Sequence, residues 1–201
     1  MNKVERNDLL ISWLTLSFAF SLLISDNFLN LMNLVEAIPI ALVAVGTGFV
    51  FHEMAHRQMA RRFGFHAEFR AWKMGLVFAV AVAIMSGGRF IFAAPGATYI
   101  FAQNISVKKN GKISMAGPAT NIVLGFILMF FSLLFPAGLV FKILFYSAWI
   151  NFWFAFFNML PMGPLDGTKI LSWNKGVWIV GLLVAGTMAL FPQLLISLIP
   201  V

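Results

Sequence analysis

The sequence predicts an all-α polytopic membrane protein with about five to six transmembrane helices and a small membrane-associated β-hairpin or sheet between the second and third spans. Three observations predict this fold class. The chain is 61% hydrophobic and 10% charged, whereas soluble domains carry roughly 25% charged residues. Apolar runs recur to the last residue, and no small-residue cleavage site follows the first, so we expect a span there and not a signal peptide. A stretch punctuated by Gly and Pro separates the second run from the third.

Five apolar runs are expected to cross the membrane as helices. They are residues 9–24, 38–51, 114–135, 139–160 and 177–198. The first is slightly short for the roughly 20 residues of a span. The second is expected to continue as a helix to Arg62, before the stop signal Phe63-Gly64. Pro118 falls in the first turn expected for the third, where proline is tolerated, and the fourth ends at the Pro-rich segment 161–167.

Residues 65–103 predict the β-hairpin. The apolar run 76–85 is too short to cross the membrane as a helix. Residues 89–94 and 97–102 are rich in strand-forming side chains and flank Pro95-Gly96, a pair suited to the centre of a type II turn. Because lipid cannot pair exposed strand backbone, we expect this hairpin to pack against helices. The alternative is a Gly-interrupted helix across residues 71–100.

The net charge of +7 is explained by membrane topology, and we expect no nucleic-acid partner. Of the 14 Lys and Arg residues, all except Lys142 fall in segments on one side of the predicted spans. The positive-inside rule therefore predicts that the N terminus, the hairpin and the segment 161–167 face the cytoplasm, as in a protein of the cell membrane. The chain has no Cys, so a metal must be held by His and carboxylate side chains.

The motif His52-Glu53-Met-Ala-His56 stands at the end of the second apolar run. Residues four apart share one face of a helix, so both imidazoles can bind one metal ion, with Glu53 beside them as a general base. Ionisable groups within a span are costly and functional by default. The alternative is that the three side chains only form hydrogen bonds within a helix bundle.

Catalytic zinc usually has three protein ligands, so the motif lacks one. The candidates are His66 and Glu68, in a basic loop expected to be solvated, and Asp166, at the broken end of an apolar span. Asp166 is favoured because it is predicted at the same membrane face as the motif, although it could instead cap a turn with Gly167. Asn158 is eight residues before Asp166, and its amide could stabilise an oxyanion or bond a neighbouring helix.

Two motifs together resemble the site-2 protease family of intramembrane zinc metalloproteases. They are His52-Glu53-Met-Ala-His56 and Asn158-Met-Leu-Pro-Met-Gly-Pro-Leu-Asp166-Gly. Gly117-Pro-Ala-Thr-Asn121 and Ala93-Ala-Pro-Gly-Ala97 resemble, respectively, the start of a core helix and a membrane-associated β region of that family. The resemblance covers about residues 39–169 of what we expect to be a single membrane-embedded metalloprotease domain, residues 1–201.

The resemblance implies one Zn²⁺ per chain, held by His52, His56 and Asp166, with Glu53 activating water and Asn158 positioning substrate or stabilising the oxyanion. It implies hydrolysis of peptide bonds in transmembrane proteins within the lipid bilayer, as in regulated intramembrane proteolysis. A transmembrane helix must unwind to be cut.

We therefore expect the hairpin at Pro95-Gly96 to bind substrate as an added strand. Asn121 is a further substrate-binding candidate, with a structural hydrogen bond as its favoured alternative. The competing function is a zinc-binding membrane protein without hydrolysis, either a metal carrier or a catalytically silent binder of membrane helices. Such a protein has little use for the free carboxylate of Glu53.

Overall fold

The computed structural model describes residues 1–25, 27–91, 95–135 and 137–191, and these are mostly helical. In chain order the elements are α1 (Lys3–Ile24), α2 (Leu31–Val45), a π-helical turn (Gly46–Val50), α3 (Phe51–Arg62), β1 (His66–Ala71), α4 (Lys73–Met85), β2 (Gly96–Phe101), α5 (Val107–Ser132), α6 (Gly138–Met159), α7 (Asp166–Trp173) and α8 (Lys175–Leu190). Four helical segments among the described residues are long and apolar enough to cross a membrane: Lys3–Ile24, Leu31–Arg62, Val107–Ser132 and Gly138–Met159. The predicted class, a polytopic helical membrane protein with a small sheet, is confirmed.

The helix that carries the motif is continuous from Leu31 to Arg62. It passes through Pro39 and the π-helical turn Gly46–Val50 before α3 begins. It ends as the sequence predicts, because Phe63 is its C-cap and Gly64 follows with a φ of +82°. The motif therefore lies in the last turns of a spanning helix, next to a sheet.

Three of the predicted spans begin well before the hydrophobicity predicts, one of them α2, which starts at Leu31 after an Asn30 cap and not at residue 38. Helix α1 starts at Lys3, where the Asn2 side chain accepts from the Glu5 amide. Helix α5 starts at Val107 after a Ser106 cap, so Pro118 lies inside the helix and not in its first turn. In all three cases an N-cap side chain extends the helix beyond its apolar run. The last predicted span appears as the shorter helix α8, and residues 192–198 lie outside the described part of the chain.

The predicted hairpin is wrong in its pairing. Strand β2 pairs antiparallel with β1, from His66↔Phe101 to Ala71↔Gly96, and helix α4 lies between the two strands in sequence. Residues 89–91 form no strand, and 92–94 lie outside the described residues. Pro95-Gly96 is thus the entry to β2 and not a hairpin turn. The alternative, an interrupted helix across 71–100, is also wrong.

The true partner strand carries a signal that hydrophobicity alone conceals. His66-Ala-Glu-Phe-Arg-Ala71 alternates polar and apolar residues, the period of a half-buried strand. Gly96 has a φ of +144°, and a Cβ there would lie 2.2 Å from the Arg70 carbonyl oxygen. Only glycine permits the two strands to approach so closely at that end.

Helix α1 covers the outer edge of β1. The Glu5 carboxylate accepts from the Phe69 amide at 3.3 Å, and the Asp8 carboxylate accepts from the Ala71 amide at 3.3 Å. Glu5, which is completely buried, also pairs with Arg57 of α3 at 2.7 Å. These bonds satisfy strand groups that lipid could not. Among the described residues, no comparable carboxylate bonds the outer edge of β2.

Candidate metal centre

Three ionisable side chains converge where α3, α5 and α7 meet. The Nε2 atoms of His52 and His56 are 2.9 Å apart, and Asp166 Oδ2 lies 3.3 Å from the first and 3.0 Å from the second. All three residues are buried. The ligands of a tetrahedral ion with bonds of 2.0–2.1 Å stand about 3.3 Å apart. The three atoms are therefore spaced as ligands of one small cation could be.

The hydrogen bonds of the imidazoles support a cation at this point. His56 Nδ1 faces the Ile113 carbonyl oxygen at 2.8 Å, and His52 Nδ1 faces Asn121 Oδ1 at 2.5 Å. Both partners are acceptors, so each neutral ring carries its proton on Nδ1 and turns an Nε2 lone pair toward the other. A positive charge must therefore lie between these nitrogens and the carboxylate: a shared proton when no metal is bound, and the metal ion when one is. The donor set, two imidazoles and a carboxylate, is one that zinc accepts.

The site favours the ionised form of Asp166. Burial opposes that charge, but when no metal is bound a proton shared by His56 and His52 gives the pair a positive charge, which holds the pKa of Asp166 well below its ordinary value. Lys169, one turn along α7, lies 3.9 Å from the other carboxylate oxygen. Asp166 is thus available as an anionic ligand.

Two glycines allow the helices to come this close. A Cβ on Gly117 of α5 would lie 2.5 Å from His56 Nε2 and 2.6 Å from His52 Nε2. A Cβ on Gly167 would lie 2.2 Å from the Met159 carbonyl oxygen at the end of α6. The first glycine leaves room at the ligand atoms, and the second seats α7 so that Asp166 reaches them.

Behind His52, a buried polar network links three helices. Asn121 of α5 accepts from His52, and its amide nitrogen donates to the Gly48 carbonyl oxygen at 2.7 Å and to Asn151 Oδ1 at 2.9 Å. Asn151 in turn donates to the Thr47 hydroxyl at 3.0 Å. Thr47 and Gly48 belong to the π-helical turn, an irregularity common at functional sites. The network fixes the orientation of the His52 ring.

Glu53 lies beside the cluster but outside it. Its side chain is buried, and its Oε2 accepts a hydrogen bond of 2.7 Å from the hydroxyl of Thr98 in β2. Thr98 also lies 3.3 Å from the Glu53 backbone oxygen. No motif in the sequence selects Thr98, and its one distinguishing feature is a hydroxyl on the inward face of a mostly apolar strand.

The remaining candidates lie apart from the three converging atoms. Asn158 is half-buried and donates at 2.9 Å to the Phe154 carbonyl of its own helix. Asn121 is fully buried, and its amide nitrogen donates to Gly48 and Asn151, which favours a structural hydrogen bond over substrate binding. His66 and Glu68 lie in β1, not in a loop, and bond each other at 3.0 Å. Glu68 also bonds Asn2 at 2.7 Å.

The apolar bundle and its His-His-Asp cluster define an integral membrane protein with a candidate metal centre. The model of peptidase family M50 matches residues 40–137. A protein of Methanocaldococcus jannaschii described as a putative zinc metalloprotease is 44% identical over 183 residues, which cover 90% of this chain and 91% of that protein. No solved structure matches the chain. The chain therefore belongs to peptidase family M50, the site-2 protease family of zinc metalloproteases.

Proposed function

We propose that this protein is an intramembrane zinc metalloprotease that hydrolyses peptide bonds of transmembrane substrates. The observation that carries the proposal is the convergence of His52, His56 and Asp166, with Glu53 held alongside, in a bundle of membrane-spanning helices. The three would hold one zinc ion per chain. The match to the family model ends at residue 137, so the proposed role of Asp166 rests on its distances to the two imidazoles.

Zinc, when bound, would act as a Lewis acid that polarises the scissile carbonyl and lowers the pKa of a water molecule. The chain supplies the proton transfer. Glu53 takes a proton from the attacking water as its oxygen bonds the carbonyl carbon, and passes a proton to the leaving nitrogen as the C–N bond breaks. The Asn158 amide would donate a hydrogen bond to the developing oxyanion. To do so, its side chain must give up its present hydrogen bond to the Phe154 carbonyl oxygen.

Strand β2, which starts at Gly96, is the proposed substrate-binding element, together with Pro95 directly before it. An unwound transmembrane segment exposes backbone groups that must be paired within the membrane. The outer edge of β2 offers such pairing, whereas α1 occupies the edge of β1. The positive charges favour a cytoplasmic N terminus and active-site side, in a cell membrane.

The same geometry argues against a metal carrier or a silent binder. A carrier needs further ligands along a route, and among the described residues the cluster of His52, His56 and Asp166 is the one group able to hold a metal. Glu53 bonds Thr98 and adds nothing to that cluster. A buried carboxylate that is not a ligand has a use in hydrolysis and none in binding alone.

The test is cleavage by purified protein reconstituted in liposomes with a panel of transmembrane peptides. Wild type should cleave at least one peptide and should stop when a chelator removes zinc. Glu53→Gln should retain zinc and lose cleavage by about 100-fold or more. Glu68→Gln is the matched control, a carboxylate of the neighbouring strand, and should cleave as wild type does. Zinc-loaded wild type that cleaves no peptide would favour the silent binder.

A further inference from the structure

Thr98 of β2 contacts Glu53 with its side chain and turns its backbone groups to the outer edge of the strand. Its side chain, on the inward face of the strand, reaches the Glu53 carboxylate at 2.7 Å. Among the described residues, Thr98 is the one whose side chain donates a hydrogen bond to Glu53. A single donor fixes one carboxylate oxygen and leaves the other free to act.

The backbone of Thr98 faces the outer edge of β2. In the register, Thr98 stands opposite Phe69. The Phe69 amide donates to Glu5 of α1, away from β2, so the two residues form a pair without mutual hydrogen bonds. In an antiparallel ladder the amide and carbonyl of the opposite residue then also point outward. Thr98 therefore offers both backbone groups to any strand added to β2.

We propose that Thr98 is a positioning residue that orients Glu53 and ties that orientation to a substrate strand bound along β2. This inference rests on the proposed protease function. The Thr98 hydroxyl holds the carboxylate in place to accept a proton from water. The Thr98 backbone bonds the substrate, so strand addition fixes the same residue that holds the base.

A loss of the hydroxyl should lower turnover and leave substrate affinity unchanged. A hydrogen bond to a charged group corresponds to roughly 10- to 100-fold in an equilibrium or a rate. Thr98→Val keeps the branched shape, the strand preference and the backbone groups, and removes only the donor. Thr98→Ser keeps the donor. Thr187→Val, at an exposed site of α8, is the matched control for replacing a threonine with valine.

The experiment measures kcat and KM in liposomes for one labelled transmembrane peptide of about 20 apolar residues that wild type cleaves. Thr98→Val should lower kcat about 10- to 100-fold with KM within about threefold and zinc content unchanged. Thr98→Ser should restore kcat to within about threefold of wild type, and Thr187→Val should match wild type. In a Glu53→Gln background, where nothing is cleaved, Thr98→Val should leave the dissociation constant of the peptide unchanged.

The outcomes separate the two claims. Thr98→Val with a wild-type kcat, or Thr98→Ser as slow as Thr98→Val, overturns the positioning role while the protease function stands. A larger peptide dissociation constant for Thr98→Val in the Glu53→Gln background also overturns the positioning role, because the residue would then act through substrate binding or strand stability. Wild type that cleaves no peptide in the panel overturns both.

Discussion

Gly117→Ala should remove the metal without unfolding the protein. The added methyl carbon would lie 2.5 Å from His56 Nε2 and 2.6 Å from His52 Nε2, so it is about 0.9 Å inside the 3.4 Å at which ordinary contact begins. Both imidazoles are held from behind, by Ile113 and Asn121, and cannot retreat without breaking those bonds.

The size of the effect follows from the tolerance of metal sites. Ligand positions must hold to about 0.2 Å, and the loss of a single hydrogen bond behind a ligand already weakens binding by 10- to 100-fold. A displacement of nearly 1 Å at two ligands should therefore lower zinc affinity at least 100-fold. The methyl group also overpacks the bundle, which costs about 1–3 kcal/mol and leaves the fold intact.

The assay is zinc content of purified protein by mass spectrometry, followed by competition with a chelator of known affinity. Gly176→Ala is the matched control, since a Cβ there meets nothing closer than Asn174 Oδ1 at 3.4 Å. Gly176→Ala should bind zinc as wild type does. Gly117→Ala that is folded and carries a full zinc complement at wild-type affinity would refute the assignment of the metal to this point.

Three further outcomes are expected. Asp166→Ala should lose zinc in the same chelator competition, because two imidazoles alone leave the site one ligand short. Asn121→Ala should keep the fold but weaken zinc binding about 10- to 100-fold, because it frees the His52 ring; an unchanged affinity would make Asn121 a packing residue only. Glu5→Gln should lower the apparent melting temperature in detergent, by an amount equivalent to about 3 kcal/mol, because it leaves the partly buried Arg57 unpaired. The exposed Glu36 is the control, and Glu36→Gln should cost less than about 1 kcal/mol.

The sequence predicted which ionisable side chains converge better than it predicted the pairing of the sheet. His52, Glu53 and His56 are close in the chain, so helix geometry alone places the imidazoles together. Asp166 is distant in the chain, and it was singled out by the requirement for a third ligand at the same membrane depth together with the motif that begins at Asn158. Its approach depends on Gly167 packing on the end of α6, which no local pattern shows.

The sheet was mispaired because strand pairing is a long-range choice. Residues 97–101 were expected in a strand and lie in β2, but their partner is β1, more than 20 residues earlier. What favours β1 is the set of carboxylates on α1 that satisfies its outer edge. No sequence motif marks those carboxylates, and Thr98 has the pattern of an ordinary strand residue. The roles of the α1 carboxylates and of Thr98 come from tertiary hydrogen bonds, which sequence periodicity does not reveal.

Anomalous X-ray scattering at the zinc edge, from crystals of wild type and of Glu53→Gln, tests the central claim most directly. We predict one peak per chain in both proteins, within about 2.0–2.2 Å of His52 Nε2, His56 Nε2 and an Asp166 carboxylate oxygen. Glu53 should lie outside the coordination in wild type. A peak that moves or disappears in Glu53→Gln would make Glu53 a ligand and not the base. A peak coordinated by His66 or Glu68 would contradict the assignment of the third ligand.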